Sequence, residues 1–336
     1  MQRLAVLLPT YNAASYISES IDSILNQTFE DFHLYIYDDF STDDTENIVA
    51  RYDDKRIFYR KNKENLGIAK TLNRGFNDLL HNYQYIARMD ADDWSYPQRF
   101  ELQLKMFEQD SDLIMCGTQG YWLTDLAKIP LVKWKYPLKY NALKVSLLFS
   151  GSFGHSSVIF DTGFLIKNNI RYNDSIETCE DWDLWLRILE LGKAANSNDY
   201  LMKYRMLPLS NHRNPKKKAL HLKERSAIIV NQWMNFGFNV NRSELFCFYY
   251  NNQKLGDSEF KKILKLFIKL FNDIDSSEIK KLDKEDQKYF RYRFARNILT
   301  YWKNAGISRF SPEIWLIIIS KVKFMNKFRL IRSIVR

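Results

Sequence analysis

The chain has 336 residues, of which 46% are apolar, and it carries a formal net charge of +10. This length accommodates one large domain or two moderate ones, and the apolar content excludes an intrinsically disordered protein. The three cysteines, Cys116, Cys179 and Cys247, fit neither a metal-ligand spacing nor a disulfide framework, which is typical of a reduced, cytosolic protein. We expect no export signal and no transmembrane helix, because the apolar runs Leu4–Leu8 and Ile314–Ile319 are too short.

The charge is distributed unevenly along the chain. Residues 1–210 contain 23 Lys and Arg against 29 Asp and Glu, a net charge of −6, whereas residues 211–336 contain 27 against 11, a net charge of +16. Such a division favours a catalytic or binding domain followed by an appendage for an anionic surface. We therefore predict a catalytic domain over residues 1–214 and a basic helical domain over residues 215–336.

Short apolar runs alternate with helical patterns in the first part of the chain. Predicted strands cover Leu4–Leu8, Phe32–Tyr37, Arg56–Arg60 and Tyr83–Met89, with helices predicted between them. Strands alternating with helices indicate an α/β fold with a mostly parallel sheet flanked by helices. Further on, the pattern predicts strands at Leu113–Trp122, His155–Phe160 and Tyr200–Tyr204, and helices at Tyr96–Glu108 and Tyr140–Leu148.

Polar clusters follow three of the predicted strands. They are Pro9-Thr10-Tyr11, Asp38-Asp39 and Asp90-Ala91-Asp92. Ligands of parallel α/β sheets bind at the carboxyl ends of the strands, so we expect these clusters to open onto one crevice. Neither a Gly-x-Gly-x-x-Gly motif nor a P-loop occurs in the sequence, so a nucleotide held here needs a metal on its phosphates and side chains around its base.

The segment Asp90-Ala91-Asp92-Asp93 places three carboxylates in four positions. Two carboxylates 4 Å apart repel by roughly 4 kcal/mol at an effective dielectric constant of 20, so the cluster is costly unless a cation bridges it. Mg²⁺ and Mn²⁺ suit such oxygen ligands. The alternative is an acidic turn in which Asp92 or Asp93 lies near the start of the helix predicted at Tyr96–Glu108 and caps it.

Five motifs in register resemble glycosyltransferase family 2, a family of inverting nucleotide-sugar enzymes with the A-type glycosyltransferase fold. The motifs are Pro9-Thr10-Tyr11-Asn12, Ser23-Ile24-Leu25-Asn26-Gln27-Thr28, Asp38-Asp39-x-Ser-x-Asp, Asn65-Leu66-Gly67-Ile68-Ala69 and Met89-Asp90-Ala91-Asp92-Asp93. The resemblance covers roughly residues 1–210. It implies a mostly parallel nucleotide-binding sheet and a divalent metal, Mn²⁺ or Mg²⁺.

The resemblance also implies roles for individual residues. Thr10 and Tyr11 would flank the base, Asp39 would hydrogen-bond a uracil, and Asp92 would bind the metal on the diphosphate. The other residues that it assigns to the nucleotide sugar are Pro9, Asn65, Lys70, Asn73, Asp90 and Ala91. Structural roles are the alternative for Tyr11, as a residue packed on the sheet edge, and for Asp39, as a helix cap.

A second carboxylate cluster, Glu180-Asp181-Trp182-Asp183, begins a predicted helix. Acids in the first turn of a helix interact favourably with its dipole, which accounts for Asp183. The segment resembles the Glu-Asp motif of the family, and that resemblance makes Asp181 the general base. Glu180 and Trp182 are candidate acceptor contacts, and His155 is a candidate third metal ligand, although a single histidine at a strand start is more often structural.

The sequence departs from the family pattern after Tyr204-Arg205. Leu207 occupies the position where the family often has a histidine, so a diphosphate or metal contact there is in doubt, and His212 is a possible substitute.

Beyond residue 218 the sequence is helical and cationic. Apolar residues such as Phe260, Ile263 and Phe267 alternate with lysines, and Glu313–Val335 repeats this pattern. Basic amphipathic helices bind anionic membrane surfaces, which predicts a protein attached to the inner face of the cell membrane. The alternatives are helices that pack on the catalytic domain and a nucleic-acid surface, which lacks a recognition signature.

These features together predict a cytoplasmic, membrane-peripheral, inverting glycosyltransferase. It would transfer a sugar from a UDP-sugar to a hydroxyl of a saccharide acceptor in O-antigen or capsule synthesis of the bacterial type. The resemblance to the family and the basic tail favour an acceptor that is linked to a lipid diphosphate. One alternative is a nucleotidyltransferase that makes sugar nucleotides, although the Gly-rich signature of such enzymes is missing. The other is a non-catalytic module that binds membrane or nucleic acid.

Overall fold

A computed structural model describes residues 2–123, 132–207, 216–240, 265–266, 268–270 and 272–304. The chain forms two compact units. The first consists of Met1–Leu143 and Gly151–His221, and the second of Lys144–Ser150 and Leu222–Arg336.

The first unit alternates strands and helices, as predicted. Its strands are β1 Gln2–Thr10, β2 Phe32–Asp38, β3 Ile57–Lys61, β4 Tyr83–Arg88, β5 Trp94–Ser95, β6 Leu113–Leu123, β7 Val132–Trp134, β8 Ile159–Asp161 and β9 Lys193–Arg205. Its helices are α1 Ile17–Leu25, α2 Thr45–Val49, α3 Ile68–Leu79, α4 Arg99–Gln109, α5 Tyr140–Leu147, α6 Thr162–Lys167 and α7 Glu180–Leu191, of which α5 continues into the second unit.

The core of this unit lies on both sides of β1. Residues 4–8 of β1 are fully buried, which is why this strand reads as a continuous apolar run instead of an alternating one. On one side, α1 buries Ile17, Ile21 and Ile24, which recur at helical spacing. Gly75 brings α3 close to the sheet, because a Cβ atom there would lie only 2.3 Å from Leu7 Cδ1.

The sheet has the strand order β3-β2-β1-β4-β8-β6-β9-β5, with β7 paired to β6. Pairing is parallel among β1, β2, β3 and β4, and between β6 and β9, while β8, β7 and β5 pair antiparallel. The predicted α/β class with flanking helices is confirmed, and the continuous block of parallel strands is β1 to β4 in the N-terminal half. Thr10 pairs with Asp38 in register, so the carboxyl ends of β1 and β2 meet at one edge.

Several element boundaries differ from the prediction. The strand predicted at His155–Phe160 is a 3-10 turn over His155–Ser157, followed by β8. The turn forms because the Ser156 hydroxyl donates to Asp90 Oδ2 at 2.8 Å and the Ser157 hydroxyl to the Gly154 carbonyl at 2.8 Å. The helix predicted at Tyr96 begins at Arg99, since the Tyr96 amide instead donates to the Leu201 carbonyl of β9.

The described part of the second unit is helical. Helix α8 spans Lys218–Asn235 and belongs to this unit from Leu222 onward, the 3-10 turns span Asp273–Ser276 and Glu278–Lys281, and helix α9 spans Lys284–Asn304. Its buried centre is aromatic, with Trp233, Phe238 and Phe290 packed ring against ring. Among the described helices, none has the length and hydropathy that crossing a membrane requires. The predicted basic helix at Glu313–Val335, most of the one near Phe260, and His212 lie outside the described residues.

Candidate active site

A cavity of about 630 Å³ opens at the carboxyl edge of β1, β2 and β4. The structure brings most of the residues predicted for the nucleotide sugar into its wall. These are Pro9, Thr10, Tyr11, Asp39, Asn65, Lys70, Asp90, Ala91 and Asp92. Tyr11 is 52% exposed, so its ring lies at the surface of the cavity and is available for stacking.

Further residues of the wall were not predicted from the sequence. They include Tyr16, Asp174, Ile176, Glu177, Leu207 and Lys217. Asp174 and Glu177 belong to an irregular segment before α7 that has neither periodicity nor a motif. Lys217 lies among three consecutive lysines, which the sequence alone does not distinguish from the basic tail.

The loops after β1 and β2 are joined by hydrogen bonds. The Asn12 amide donates to the Ser41 hydroxyl at 2.9 Å, and Asn12 Oδ1 accepts from the Thr42 amide at 2.9 Å. Asn12 and Phe40 have φ values of 49° and 70°, a left-handed conformation that is uncommon outside glycine. Such backbone strain is typical of binding loops that the surrounding structure holds rigid.

Asp39 is buried and holds the Asn65-Leu66-Gly67 turn beside the cavity. Its Oδ1 atom accepts from the Leu66 amide at 2.7 Å, and its Oδ2 atom from the Gly67 amide at 2.8 Å. Asn62 and Thr71 also donate to Oδ1, at 2.7 and 2.9 Å. The alternative of a helix cap therefore does not describe Asp39, because its bonds go to the β3–α3 connection.

The carboxylates of Asp90, Asp92 and Asp93 form one group, with an oxygen from each lying within 4.8 Å of the others. Burial and the neighbouring Asp90 raise the pKa of Asp92 to about 7. Burial, Asp92 and Asp90 raise the pKa of Asp93 well above its usual range. A divalent cation would relieve this repulsion, so the donor set fits a hard metal ion.

The three aspartates differ in how many hydrogen bonds and ion pairs their carboxylate oxygens make. Asp93 is hydrogen-bonded to the Ser156 hydroxyl and accepts from the Arg205 amide at 2.9 Å, so it joins the turn before β8 to β9 instead of capping a helix. Asp90 shares the single proton of the Ser156 hydroxyl with Asp93 and forms an ion pair with Arg88. No hydrogen bond to the Asp92 carboxylate from another described residue is found, which leaves its oxygens available to a metal.

Arg88 is a buried cation that sequence reasoning missed. It ends β4, is 2% exposed, and donates to the Ser156 hydroxyl at 2.7 Å in addition to its ion pair with Asp90. Its positive charge lowers the pKa values of Asp92, Glu180 and Asp181. The charge of Arg88 therefore acts on both carboxylate clusters that the sequence singled out.

Glu180 and Asp181 begin helix α7, after the N-terminal residue Cys179. Burial raises the pKa of Asp181 to about 6, while its bond from the Trp182 amide at 2.8 Å opposes the shift. Burial and Asp181 raise the pKa of Glu180 to about 8. Asp181 is thus largely ionised at neutral pH and Glu180 largely protonated, a division of roles suited to acid–base chemistry.

The His155 side chain bonds to residues other than Asp90, Asp92 and Asp93. Its Nε2 atom lies 2.8 Å from the Tyr172 hydroxyl, and its Nδ1 atom lies 3.7 Å from Glu180 Oε1. Burial and Arg88 lower the pKa of His155 well below its usual range, so the ring is neutral. The structure does not include His155 in the carboxylate group of Asp90, Asp92 and Asp93.

Asn73 and Trp182 also lie outside the cavity wall. Asn73 exchanges hydrogen bonds with the backbone of Tyr172, both at 2.9 Å, and holds the segment that carries Asp174 to the cavity. Lys70, on the preceding turn of α3, does line the cavity. Trp182 packs near Gly151, where a Cβ atom would lie 3.3 Å from its indole Nε1.

Known proteins are similar to this chain in sequence and in fold. Residues 5–163 match the model of Glycosyl transferase family 2. An uncharacterized glycosyltransferase of Methanocaldococcus jannaschii is 31% identical over 222 residues, which are 64% of this chain and 74% of that protein. One of Haemophilus influenzae is 31% identical over 219 residues, 60% of this chain and 65% of that protein. A relative in Rickettsia felis is matched over 39% of its length, so the chain spans only part of several relatives.

Solved structures show the same architecture. Staphylococcus aureus TarS 1-349, crystallised with UDP-GlcNAc, superposes with a TM-score of 0.54 at 16% identity over 90% of each chain. The mannosyltransferase PcManGT of Pyrobaculum calidifontis, crystallised with GDP-Man and Mn²⁺, gives a TM-score of 0.53 at 17% identity over 99% of this chain and 84% of that one. The fold of the first unit is therefore that of the A-type glycosyltransferases. The chain belongs to glycosyltransferase family 2.

Proposed function

We propose that the protein is an inverting glycosyltransferase that moves a sugar from a UDP-sugar to a hydroxyl of a saccharide acceptor. The observation that carries this proposal is the pair of electrostatically linked carboxylate sites. One is Asp92 at the cavity wall, and the other is Asp181, whose pKa of about 6 responds to Arg88 and Asp90 beside the first site. An inverting transfer needs both a stabilised leaving group and a base.

In this proposal the cavity binds the nucleotide sugar. Tyr11 stacks on the base between Thr10 and the turn that Asp39 holds, and Asp90 lies near the ribose. Asp39 reaches the uracil through Oδ2, which accepts only from Gly67 among the hydrogen bonds found in the described part of the chain. Pro9, Asn65, Lys70 and Ala91 complete the wall. Asn73 acts indirectly, through the Tyr172–Asp174 segment that it binds.

Asp92 would hold a divalent cation, Mg²⁺ or Mn²⁺, on the diphosphate. When bound, such a metal neutralises the negative charge that develops on the departing nucleoside diphosphate. Asp90 has its charge partly neutralised by Arg88 and Asp93 is bonded to two donors, so Asp92 is the principal ligand. The Mn²⁺ in the mannosyltransferase structure supports the metal assignment for that fold.

Asp181 would take the proton from the acceptor hydroxyl as that oxygen attacks the sugar. A base with a pKa near 6 is ionised at neutral pH and still accepts a proton effectively. Glu180 and Trp182, which flank Asp181, would contact the acceptor.

The wider setting is part of the same proposal. The net charge of +16 in residues 211–336 suits attachment to an anionic membrane surface at the cytoplasmic side, and a lipid-diphosphate-linked saccharide in surface polysaccharide synthesis, such as O-antigen or capsule, fits that location. Flotation of the full chain with vesicles tests it. We expect binding to anionic vesicles that salt reverses, and equal behaviour with neutral vesicles would contradict membrane attachment.

The enzymatic proposal is tested by calorimetry and by turnover of UDP-glucose, UDP-galactose and UDP-N-acetylglucosamine. Asp92→Asn should lose the part of UDP binding that depends on Mn²⁺. Asp181→Asn should keep UDP binding and lose turnover by about 100-fold or more. Asp53→Asn, at an exposed aspartate away from the cavity, is the matched control. Metal-dependent binding that survives Asp92→Asn would remove the metal assignment, and normal turnover by Asp181→Asn would place the base elsewhere.

A further inference from the structure

A row of four aromatic rings lies along the C-terminal strands of the first unit. The ring centroids of Tyr204 and Trp122 are 5.2 Å apart, those of Trp122 and Trp134 are 6.3 Å apart, and those of Trp134 and Tyr136 are 5.2 Å apart. We call these four side chains the aromatic wall. They come from β9, β6, β7 and the residues just after β7, so the sheet fixes their spacing.

One end of the aromatic wall lies beside the carboxylates of Asp90, Asp92 and Asp93. Burial raises the pKa of Tyr204 well above its usual range, and the charges of Asp93, Asp90 and Asp92 raise it further. Tyr204 also precedes Arg205, whose amide bonds to Asp93 at 2.9 Å.

The other end lies near the start of helix α7, which carries the candidate base. A Cβ atom on Gly151 would lie 3.6 Å from the Tyr136 hydroxyl and 3.3 Å from Trp182 Nε1, so both side chains face this glycine. Trp182 in turn donates its amide to Asp181 Oδ1 at 2.8 Å. Tyr136 and Gly151 therefore lie next to the first turn of helix α7, in which Trp182 follows Asp181.

Trp134 is the buried ring of the aromatic wall, and the other three rings are half-buried. Trp134 is 8% exposed and lies against Gly120 and Gly154, where Cβ atoms would be 2.4 and 3.0 Å from its ring. Trp122 and Tyr136 pack against the core cluster and remain half-buried. The indole N–H of Trp134 is buried without a hydrogen-bond partner among the described residues, which is costly unless a ligand or water meets it.

This chemistry selects a class of ligand. Aromatic side chains with polar tips offer flat apolar faces together with O–H and N–H groups. None of these rings carries a charge, so the surface suits a neutral ligand with C–H faces and hydroxyls better than a phosphate or a lipid headgroup. A pyranose ring has that chemistry.

We propose that the aromatic wall is the binding site for the acceptor saccharide and positions its pyranose ring for the base Asp181. This inference rests on the proposed glycosyltransferase function and adds the acceptor subsite to it. The donor cavity and the aromatic wall are lined by different residues, so their failures can be told apart: UDP binding reports on the first, and saccharide binding on the second.

Saturation-transfer NMR tests the inference. The probes are p-nitrophenyl glycosides of glucose, galactose, mannose and N-acetylglucosamine at about 10 mM, suited to millimolar affinities. Irradiation of protein aromatic protons should saturate pyranose protons of at least one glycoside. Trp122→Ala and Tyr136→Ala should each reduce that signal about fivefold or more, as expected for a loss of about 1 kcal/mol.

Trp94→Ala is the matched control. Trp94 is also half-buried and its ring lies edge-to-face with that of Tyr96 at a centroid distance of 4.6 Å, but it is not part of the aromatic wall. Thermal unfolding and UDP binding show whether each variant is folded, and Trp122→Tyr and Tyr136→Phe provide milder changes that should keep the pyranose signal. The inference is wrong if no glycoside receives saturation from the native chain, or if Trp94→Ala reduces the signal as much as the wall variants. If the native chain does not bind UDP, the proposed function itself is wrong.

Discussion

Asp39 Oδ2 accepts the backbone N–H of Gly67 at 2.8 Å, while Gly67 has a φ of 85°, a conformation natural to glycine. The motif residues Asp39 and Asn65-Leu66-Gly67, which are far apart in the sequence, are therefore one structural unit. The carboxylate shapes the loop that lines the cavity, and any contact that it makes with a base depends on that loop.

Asp39→Asn should destabilise the protein by about 2 kcal/mol, the value of a hydrogen bond to a charged acceptor. The cause is that an amide group would direct an N–H toward donors such as the Leu66 or Gly67 amide. Thermal or urea unfolding measures the effect, and UDP affinity should fall in parallel. Asp44→Asn is the control, because Asp44 is exposed and its ion pair with Arg51 at 3.5 Å contributes little. Equal stability of the two variants would contradict the role of Asp39.

The raised pKa of Glu180 predicts that Glu180→Gln stabilises the protein at alkaline pH. Burial and Asp181 raise that pKa from 4.5 to about 8, so the native state binds a proton that the unfolded state releases between these values. The stability contributed by this proton is fully present below pH 4.5 and is lost as the pH rises through 8. Glutamine, which stays neutral, avoids that loss.

The stability difference between Glu180→Gln and the native chain should therefore grow between pH 5 and 8, by at most about 1.4 kcal/mol per pH unit. Urea midpoints at several pH values measure it. Glu30→Gln, at an exposed glutamate, should show no such trend. A constant difference across this range would mean that Glu180 is ionised in the native state.

Asp181 predicts the pH dependence of turnover. As the proposed base it must be ionised, and burial raises its pKa to about 6, so kcat/KM should rise about tenfold per pH unit below 6 and level off above it. The measurement is turnover of the active UDP-sugar from pH 4.5 to 8.5 with saturating Mn²⁺. UDP binding recorded over the same range separates ionisation of the base from loss of the metal. A flat profile between pH 5 and 7 would exclude Asp181 as the base.

The position of the nucleotide cavity could be predicted from the sequence because parallel strands place their carboxyl ends at one edge. The clusters at the ends of β1, β2 and β4 followed from that rule, whereas Asn65 and Lys70 followed from the family resemblance. Nine of the predicted residues line the cavity. The side-chain bonds of Asp39 could not be predicted, since a motif does not reveal that its carboxylate serves the backbone of another motif.

The link between the two carboxylate clusters could not be predicted for a different reason. Arg88 lies within an apolar strand pattern, and nothing local indicates that its buried charge pairs with Asp90 and also acts on Asp181. Strand β8, which precedes α7 in the chain, pairs antiparallel with β4 and β6. The alternation of strands and helices does not predict this pairing. Helical spacing also failed to separate Lys70, which lines the cavity, from Asn73, which binds Tyr172.

Lys217 is a further residue of the cavity whose role can be tested. It is half-buried in the cavity wall together with Leu207, which has no polar side-chain atom and stands where the family often has a histidine. The same wall carries the carboxylates of Asp90 and Asp92, so a bound diphosphate needs cationic neighbours besides a metal.

We therefore expect Lys217→Ala to weaken UDP binding about tenfold, equivalent to about 1.4 kcal/mol for a charge-assisted contact, and to weaken UMP binding less, because UMP lacks the second phosphate. Calorimetry with UDP, UMP and inorganic pyrophosphate in the presence of Mn²⁺ measures this. Lys218→Ala is the matched control, since Lys218 is exposed and does not line the cavity. If both variants bind UDP equally well, or if Lys217→Ala weakens UMP as much as UDP, Lys217 does not contact the second phosphate, and the charge of the diphosphate must be balanced by the metal and Lys70.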